Sequence, residues 1–558
     1  MDKRQFFRFF TPTLSLIVIL FPCLTFAAIP ASPIDIESDR ERQRNIEKEV
    51  QRRLDTRPDK QQQDVEVKST ILLPENQCQL LKKIHLYGAD QVSESDYTDI
   101  FSDYIGKCLD NEGLNKTSRT LQNWYIDQGY ITTRITIKRQ QNSLDKGNLE
   151  LWVIEGKIGA IKFANSDFES SRITTAFPTN TGSMLNIHDL DQGLEQLNRL
   201  FSQQFRMQIK PAANPGYSDV ILIEISPTSS TGKPEPHDGR QRLSYSVNDG
   251  GVKDTGEYLH SFNLTRENLA GLNDVMNLTW QRGTPYKSGE KENEYLRFSS
   301  EIPWGYWFYK FSYYDSSTSR KIVGNNASFI SKSKSKTTNL SVNRVMTRSQ
   351  TSKTELYANL EFNDRQNFIN NTQILTSSRQ TSSLNLGYIF TKYFSGATLI
   401  LTPSISQGTD WFGAIEDTPD IQDNQPHAQY TFFKFYSYYQ QQFKTKSNYP
   451  FSYQNTINVQ YTDKTLYGEK QLLLGGEYSI RGYKENILSV DNGWTLRNNL
   501  ILPIGIWSKD WHQKQWLMPL NFKFKGEITV PCDRCLDNVN IDVEGEESLI
   551  IKFGDESF

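Results

Sequence analysis

The sequence predicts a transmembrane antiparallel β-barrel that follows two small α+β domains and an N-terminal helix. Aromatic residues make up 12% of the chain, yet its mean hydropathy is low, at -0.60. From about residue 237 onward, segments of roughly ten residues alternate between apolar and polar side chains, as in a barrel with one face toward lipid and one toward water. After the first 28 residues there is no run of about 18 apolar residues, so no membrane helix is expected.

Alternation of apolar and polar residues is the main evidence for strands in residues 237–558. Five stretches show it most clearly, with apolar positions at Leu243, Tyr245 and Val247; Met276, Leu278 and Trp280; Leu356, Ala358, Leu360 and Phe362; Leu384, Leu386, Tyr388 and Phe390; and Ile457, Val459 and Tyr461. Further aromatic residues would form girdles at the membrane interfaces: Trp304, Tyr306, Trp307, Tyr309, Tyr313 and Tyr314. A large soluble β-sandwich or propeller is the alternative, but so long a polar face together with an export signal favours the barrel.

Residues 1–28 predict a secretory signal peptide. A positively charged start, MDKRQFFR, precedes the apolar run LSLIVILF, and small residues follow at Ala27 and Ala28. The stretch LFPC, ending at Cys23, resembles a lipoprotein box, but Pro22 before the cysteine argues against it. An exported chain with a β-barrel points to the outer membrane of a Gram-negative cell.

Residues 34–55 predict a charged, solvated helix. They contain no glycine and place Glu near Arg or Lys at helical spacings. A free or disordered arm is the alternative for this segment. The following residues, 56–75, include TRPDKQQQD, which is typical of a flexible linker.

Residues 76–227 predict two α+β domains in tandem, 76–157 and 158–227. In the first, LKKIHLY predicts a strand, two helical segments follow, and YITTRITIK and LELWVIEG predict two further strands. The order strand, helix, helix, strand, strand then repeats, with NIHDLDQGLEQLNRLFS as its amphipathic helix.

Five cysteines bear on the compartment: Cys23, Cys78, Cys108, Cys532 and Cys535. Cys23 leaves with the signal peptide, and the other four are expected to pair in the oxidising periplasm. Cys78 with Cys108 is the expected staple, and Cys532 with Cys535 is a candidate for a small loop disulfide. A metal site at this isolated CxxC is disfavoured, because no second pair of ligands accompanies it.

The sequence offers no catalytic constellation. None of the six histidines lies in an HExxH motif or beside a cysteine motif, and neither a GxSxG elbow nor a Walker loop is present. His188, at the start of a helix, is expected to be a surface or capping residue. We therefore expect no enzyme activity, no metal and no cofactor, and the net charge of -3 gives no reason to expect nucleic-acid binding.

Several motifs resemble those of two-partner secretion transporters of the haemolysin secretion/activation branch. DQGYITTRITI and LWVIEGKI resemble a first POTRA domain, and LNIHDLDQGLEQLNRL with NPGYSDVILIEI resembles the second. VNDGGVKDTGEY, ENLAGLNDV and GWTLRNN resemble the first strand, the first turn and a late strand of their barrels. LGGEYSIRGY resembles the VRGF/VRGY motif of the wider superfamily of outer-membrane translocation and assembly barrels. The motifs follow the family's order over almost the whole mature chain.

The resemblance implies an outer-membrane translocator, expected to be a monomer with sixteen barrel strands in the lipid bilayer. Its POTRA domains would bind a large unfolded exoprotein of haemolysin, adhesin or contact-dependent toxin type, which the barrel would secrete without ATP. Leu190, Leu194 and Leu197 of the second POTRA helix are candidates for contacts with this cargo. The charged helix 34–55 would plug the lumen. Cys78 and Cys108 fit the disulfide of the first POTRA domain in this branch.

The arginine motif is expected to lie on a long loop that folds back into the barrel. Its residues are Gly475, Gly476, Ile480, Arg481, Gly482 and Tyr483. Arg481 would project into the lumen and pair with a carboxylate of the inner wall, which a guanidinium binds in a bidentate manner that lysine does not match. The resemblance places an aspartate where this chain has Lys525, so the partner stays open among nearby acids: Glu527, Asp533, Asp542 and Glu544.

The C-terminal end departs from the family pattern in two further ways. Five strands would have to follow Arg481 in a short stretch of chain, and the tail DVEGEESLIIKFGDESF is acidic, although it keeps the terminal aromatic Phe558. A shortened or divergent barrel end is therefore open. Two other functions also stay open: an outer-membrane protein insertase of the same superfamily, and a passive porin.

Overall fold

The computed structural model describes residues 29–55, 73–74, 77–138, 140–164, 170–225, 240–444, 450–476, 478–479, 487–501, 516–531 and 538–553. The helices in these ranges are α1 (Pro33–Asp55), α2 (Glu94–Phe101), α3 (Asn111–Asp127), α4 (Gln141–Leu144), α5 (Ser170–Ala176) and α6 (Ile187–Asn198). In this part of the chain, no helix combines the length and the apolar character needed to cross a membrane.

The strands fall into an N-terminal and a C-terminal set. The first set is β1 (Ile29–Pro30), β2 (Gln79–Leu80), β3 (Lys83–Tyr87), β4 (Cys108–Leu109), β5 (Arg134–Thr136), β6 (Asn148–Ile154), β7 (Lys157–Phe163), β8 (Gln204–Pro211) and β9 (Tyr217–Ile225). The second set is β10 (Gln241–Asn248), β11 (Tyr258–Glu267), β12 (Val275–Thr284), β13 (Lys291–Trp304), β14 (Trp307–Val323), β15 (Ser328–Arg348), β16 (Ser352–Ile369), β17 (Thr372–Gln373), β18 (Arg379–Phe394), β19 (Ala397–Thr409), β20 (Thr431–Lys444), β21 (Pro450–Thr462), β22 (Leu472–Leu474), β23 (Leu488–Val490), β24 (Gly493–Ile501), β25 (Trp516–Pro531) and β26 (Asn538–Phe553).

The first α+β domain is a three-stranded sheet covered by helices. β3 pairs parallel with β6, and β5 pairs antiparallel with β6. Helix α2 begins at a capping box, in which the Ser93 hydroxyl accepts from the Asp96 N–H and the Asp96 carboxylate accepts from the Ser93 N–H. The core is formed by apolar side chains of sheet and helices, among them Leu81, Ile84, Phe101, Leu121, Tyr125 and Leu151.

Cys78 and Cys108 form a disulfide beside the short pairing of β2 with β4. This confirms the predicted staple. It joins residues that are 30 apart in the chain, and so ties the entry to β3 to the segment between α2 and α3. Cys532 and Cys535, the second predicted pair, lie outside the described residues.

The second α+β domain repeats the topology of the first, as the tandem pattern predicts. β7 pairs parallel with β9, and β8 pairs antiparallel with β9. Helices α5 and α6 pack on this sheet around a core that includes Ile158, Phe177, Leu190, Leu197 and Val220. Gly193 makes this packing possible, because a Cβ there would lie 2.1 Å from a ring carbon of Phe177.

The C-terminal region is one antiparallel sheet in which almost every strand pairs with its neighbour in sequence. The order runs from β10 to β16, continues through β18–β21 and ends at β24; the short β17 pairs with β16, which gives thirteen strands. β25 and β26 form a separate hairpin. The expected total of sixteen strands stays a prediction, because the connection from β24 to β25 lies outside the described residues.

The barrel strands separate an apolar outer face from a polar inner face, as predicted. On β12, Leu278 is 41% exposed on the outer face, whereas Gln281 on the inner face is fully buried. Outer-face residues stand opposite each other on successive strands: Leu264 pairs with Leu278, and Leu278 pairs with Phe298. These registers join the outward side chains into a continuous apolar belt.

The predicted aromatic girdle needs a correction. Three of its members are exposed on the outer face: Trp304, Trp307 and Tyr309. Tyr314, in contrast, is 8% exposed and on the inner face, because residues at odd and even positions of β14 point to opposite sides of the sheet. Tyr306 lies in the turn before β14 and donates its hydroxyl hydrogen to Asp189 of α6.

The second α+β domain contacts one end of the barrel, which we call the proximal end; the opposite end is the distal end. The contact is centred on Gly305, in the turn between β13 and β14. Its N–H donates to the carbonyl of Thr175 at 2.8 Å, and its carbonyl accepts from Gln192 at 3.2 Å. Successive strands therefore run alternately away from this domain and back toward it.

Replacement of Cys78 and Cys108 by serine is expected to destabilise the first domain by about 3–4 kcal/mol, because the disulfide closes a long loop of the unfolded chain. Amide hydrogen exchange of the full-length protein measures the effect. The protected amides of α3 should exchange about 10²- to 10³-fold faster. Amides of α6, in the other domain, are the internal control. Equal exchange of α3 in both proteins would contradict the prediction.

Candidate functional site

Helix α1 corresponds to the charged helix predicted over residues 34–55. It begins after Ser32, whose hydroxyl accepts from the Asp35 N–H at 3.4 Å. Pro33 occupies the first helical position, where its missing N–H removes no hydrogen bond of the helix. Arg52 and Arg53 lie in the last turn, where cations face the negative end of the helix dipole.

Contacts with strands all round the sheet place α1 inside the barrel. Its partners are Gln281 on β12, Asn293 and Arg297 on β13, Glu355 and Arg365 on β16, Ile389 on β18, Ile400 on β19, Tyr438 on β20 and Arg497 on β24. Because these strands follow one another around the sheet, the helix is surrounded by the inner wall.

Polar contacts hold most of this helix. Glu37 is 1% exposed; it pairs with Arg40 at 2.6 Å and accepts from the Gln281 amide at 3.0 Å. Farther along the helix, Val50 packs with Ile400 in a small apolar cluster. The helix therefore fits a polar lumen, with one short apolar stripe against the wall.

At the distal end, Arg365 of β16 joins the helix to a loop. Its Nη1 lies 2.6 Å from Asp35 Oδ1 and 3.2 Å from Glu469 Oε2. Arg379 of β18 also pairs with Glu469. Because Glu469 belongs to the long loop between β21 and β24, this buried network connects helix, wall and loop.

A backbone pairing strengthens the same connection. β1, just before α1, pairs antiparallel with β23 of the long loop, and β23 pairs with β22. The Ala31 N–H continues the pairing by donating to the Ile487 carbonyl at 2.9 Å. The start of the helix and the loop thus form one structural unit at the distal end.

The long loop enters the lumen and carries the start of the arginine motif. Lys470 pairs with Glu361 of β16 and donates to the Ser383 hydroxyl at 3.2 Å. Gly475 and Gly476 have φ values of 124° and 79°, which favour glycine. Both glycines line a cavity shared with Ile36 and Arg40, so this part of the loop faces α1. The other motif residues lie outside the described ranges: Ile480, Arg481, Gly482 and Tyr483.

The partner of Arg481 stays a prediction. Asp533 lies outside the described residues. Glu527 lies on β25, where its Cα stands opposite that of Asp542 on β26. Sequence reasoning missed the acid that does hold this loop, Glu469, although YGEKQLLLGG places two charges directly before the apolar run.

At the proximal end, the turn with the sequence ENLAGLNDV docks the second domain onto the barrel. Asn273 is fully buried at a φ of 56°. Its side chain donates to the Arg172 carbonyl at 2.8 Å and accepts from Arg172 Nε at 2.9 Å. The Asp274 carboxylate accepts from the N–H groups of Leu269 and Ala270 at 3.1 and 3.0 Å and so holds the turn.

The leucines predicted to contact cargo have a different role in this structure. Leu190 and Leu197 are fully buried in the core of their own domain, and Leu194 packs against that core. An amphipathic helix on a small sheet must cover its apolar stripe, and here the sheet of the same domain covers it. Leu190 and Leu197 are therefore not presented to a partner, and for the partly buried Leu194 the contact with cargo stays a prediction.

The polar side of α6 faces the barrel. Glu195 pairs with Arg348 and with Lys353, the latter at 2.8 Å. Burial would raise the pKa of Glu195, but the two cations outweigh it and lower the pKa to about 2. His188 was expected to be a surface or capping residue, but the cap of α6 is Asn186, whose side chain accepts from the backbone N–H of His188 at 2.9 Å. Across the described ranges, no three His, Cys, Asp or Glu side chains are grouped to hold a metal.

Comparisons with known proteins agree with this architecture. Residues 233–517 match the family model "Haemolysin secretion/activation protein ShlB/FhaC/HecB", residues 80–156 match "POTRA domain, ShlB-type", and residues 157–211 match "POTRA domain". The chain is 31% identical to the outer membrane transporter CdiB of Dickeya dadantii, over 76% of this chain and 72% of that protein. It is 27% identical to the hemolysin transporter protein HpmB of Proteus mirabilis, over 78% and 74%.

Two solved structures share the fold. CdiB from Escherichia coli superposes with a TM-score of 0.78 at 24% identity, over 94% of this chain and 93% of that chain. CdiB from Acinetobacter baumannii superposes with a TM-score of 0.70 at 23% identity, over 94% and 100%.

Replacement of Arg365 by methionine is expected to release the distal end of α1. Asp35 loses its buried partner, and breaking such a pair typically costs about 3–5 kcal/mol, whereas Glu469 keeps Arg379. Amide exchange over the first turns of α1 should become faster than in the wild-type protein. Arg344→Met is the matched control, because Arg344 stacks on Trp307 at 4.9 Å on the outer wall. Unchanged exchange in the Arg365 variant would refute this anchor.

Proposed function

Because this chain belongs to the haemolysin secretion/activation protein family ShlB/FhaC/HecB of outer-membrane transporters, we propose that it recognises one large unfolded exoprotein in the periplasm and passes it through its barrel. The family membership confirms the resemblance found in the sequence motifs. The predicted β-barrel with two preceding POTRA domains is likewise confirmed. The transporter is thus placed in the outer membrane, with its POTRA domains on the periplasmic side.

The observation that carries the proposal is the charged helix inside a polar lumen. Glu37 of the helix is held by the wall amides of Gln281 and Asn293, and Asp35 is held by Arg365; water can replace these partners once the helix leaves. A helix with its side chains is about 10–12 Å across, and through its contacts with β12, β16 and β24 it occupies the lumen from wall to wall. We propose that α1 closes the resting pore and moves when the exoprotein arrives.

The exoprotein would be of haemolysin, adhesin or contact-dependent toxin type. Support comes from HpmB, which is named a hemolysin transporter protein. The transporter would act as a monomer in the lipid bilayer. The sequence has no Walker motif, and we propose that transport proceeds without ATP, driven in one direction by folding of the exoprotein outside the cell.

Recognition of the exoprotein would use a sheet edge and not the buried leucines of α6. In the described part of the second POTRA domain, β8 pairs with β9 and has its other edge open. An extended segment of cargo can add to such an edge through main-chain hydrogen bonds, while alternate side chains supply specificity. This replaces the earlier assignment of Leu190 and Leu197 to cargo contacts.

Deletion of residues 34–55 is expected to raise the conductance of single pores in planar bilayers, because the lumen loses the helix that fills it. Phe433→Ala, a change on the exposed outer wall, is the control and should leave conductance at the wild-type value. If the deletion protein has wild-type conductance, α1 does not close the pore.

Arg481→Ala is expected to reduce secretion of the exoprotein that this transporter carries, while the barrel still inserts into the outer membrane. Arg481→Lys should recover little of the loss, because an ammonium does not form the bidentate contact of a guanidinium. Secreted exoprotein is measured in the culture medium and transporter in outer-membrane fractions. The levels of other barrel proteins are the control, since an insertase would alter them. Normal secretion by the alanine variant would show that Arg481 has no role in transport.

A further inference from the structure

The last turn of α1 and helix α6 of the second POTRA domain meet at one group of buried charges. Arg53 of α1 pairs with Glu355 of β16, and Lys353 lies two residues earlier on the same inner face. Lys353 Nζ is 2.7 Å from Glu355 Oε1 and 2.8 Å from Oε1 of Glu195 on α6. The side chains of Arg53, Lys353 and Glu355 are 6%, 9% and 6% exposed. A single buried lysine therefore bridges the partner of the lumen helix and the POTRA helix.

A second contact between the same two helices runs through the ring of Phe308 on β14. The guanidinium carbon of Arg52, in α1, lies 5.0 Å from the ring centroid, and that of Arg199, at the end of α6, lies 5.2 Å from it. One cavity is lined by members of both contacts: Arg52, Glu195, Arg199, Phe308, Lys353 and Glu355. The Lys353 contact and the Phe308 contact thus line the same cavity at the proximal end.

We propose that Lys353 is a positioning residue that couples the second POTRA domain to the lumen helix, so that displacement of α6 by the exoprotein weakens the hold on the proximal end of α1. The coupling rests on the proposed function, in which α1 closes the resting pore.

The charges at this place determine the direction of the coupling. Around Lys353, the other cations are Arg53 and Arg348, and the acids are Glu49, Glu195 and Glu355. Around Phe308, the cations are Arg52, Arg199 and Lys310, and the acid is Glu301. When α6 moves away, Glu195 leaves, and the wall residues Arg348 and Lys353 lose the acid that they share. The excess positive charge then faces Arg53 of α1, and like charges repel strongly where water is excluded. Arg199 leaves together with α6, so the positive charge beside Arg52 does not rise. The loss of Glu195 therefore loosens the hold on Arg53, at the proximal end of α1, and does not tighten it.

The variant Lys353→Met tests the coupling without preventing the barrel from folding. Without the lysine, each buried acid keeps an arginine partner: Glu355 keeps Arg53, and Glu195 keeps Arg348. The barrel is therefore expected to fold, while the bridge between the two helices is lost. Lys353→Arg keeps the charge and should keep the coupling. Lys332→Met is the matched control, because Lys332 pairs with Glu292 at 2.7 Å near the distal end.

The test is a double-mutant cycle on the ratio of open to closed time, measured with the full-length protein in planar bilayers at one salt concentration. Glu195→Gln removes the charge of α6 that Lys353 and Arg348 share, and Arg53→Met removes the charge that is then repelled. In the wild-type background, we expect Glu195→Gln to raise the ratio of open to closed time about threefold or more. In a protein that already carries Arg53→Met, the same change should raise it less than about twofold, because the effects of interacting residues are not additive. The same loss of effect is expected beside Lys353→Met, whereas the full effect should persist beside Lys353→Arg and Lys332→Met.

Equal effects of Glu195→Gln in the wild-type, Arg53→Met and Lys353→Met backgrounds would overturn the coupling. The cycle of Glu195→Gln with Arg53→Met decides the matter even if the Lys353→Met protein fails to fold. The deletion of residues 34–55 separates this inference from the proposed function. If the deletion raises conductance and the cycle is additive, only the coupling is wrong. If the deletion changes nothing, closure of the pore by α1 is wrong, and the coupling falls with it.

Discussion

The polar interior of the barrel is the condition on which the rest of the structure depends. Strands in lipid must pair all their backbone groups with neighbours, and their period of two then sends one set of side chains outward and the other inward. Leu278 and Gln281 show both outcomes on one strand. Only a lumen lined in this way can accept a helix as charged as α1, whose ionised side chains lipid would exclude.

The POTRA domains and helix α1 are held in place by different kinds of interaction. The POTRA domains are held by apolar cores, such as the one around Leu190 and Leu197, and opening them would expose that surface to water. Helix α1 is held mostly by ion pairs and hydrogen bonds, for example those of Arg365 and Glu355. Water can take the place of these partners if the helix moves, whereas no solvent molecule replaces the apolar contacts of a domain core.

Features of short range were predictable from the sequence, and features of long range were not. The barrel strands, helix α1 and the tandem domains follow from periodicity within a few residues. Compartment and count predicted that the cysteines pair, and the resemblance supported the pairing of Cys78 with Cys108. Periodicity also located the apolar face of α6, but it could not say that the sheet of the same domain covers Leu190 and Leu197. The contact of Arg365 with Glu469 joins residues 104 apart and depends on the curvature of the whole wall. The orientation of Arg481 stays a prediction.

Strand β16 carries the partners of both ends of helix α1, Glu355 for Arg53 and Arg365 for Asp35. Ten strand residues span about 33 Å, or about 25 Å along the axis of a barrel with strands tilted by about 40°. The eighteen steps from one residue to the next between Asp35 and Arg53 span about 27 Å in a helix, so the two lengths match. One added helical turn of about 5.4 Å would need about two added strand residues. Two residues keep the charges facing the lumen, whereas one would turn them toward lipid. An insertion of one turn in this helix can therefore be accepted only together with an insertion of two residues in this strand.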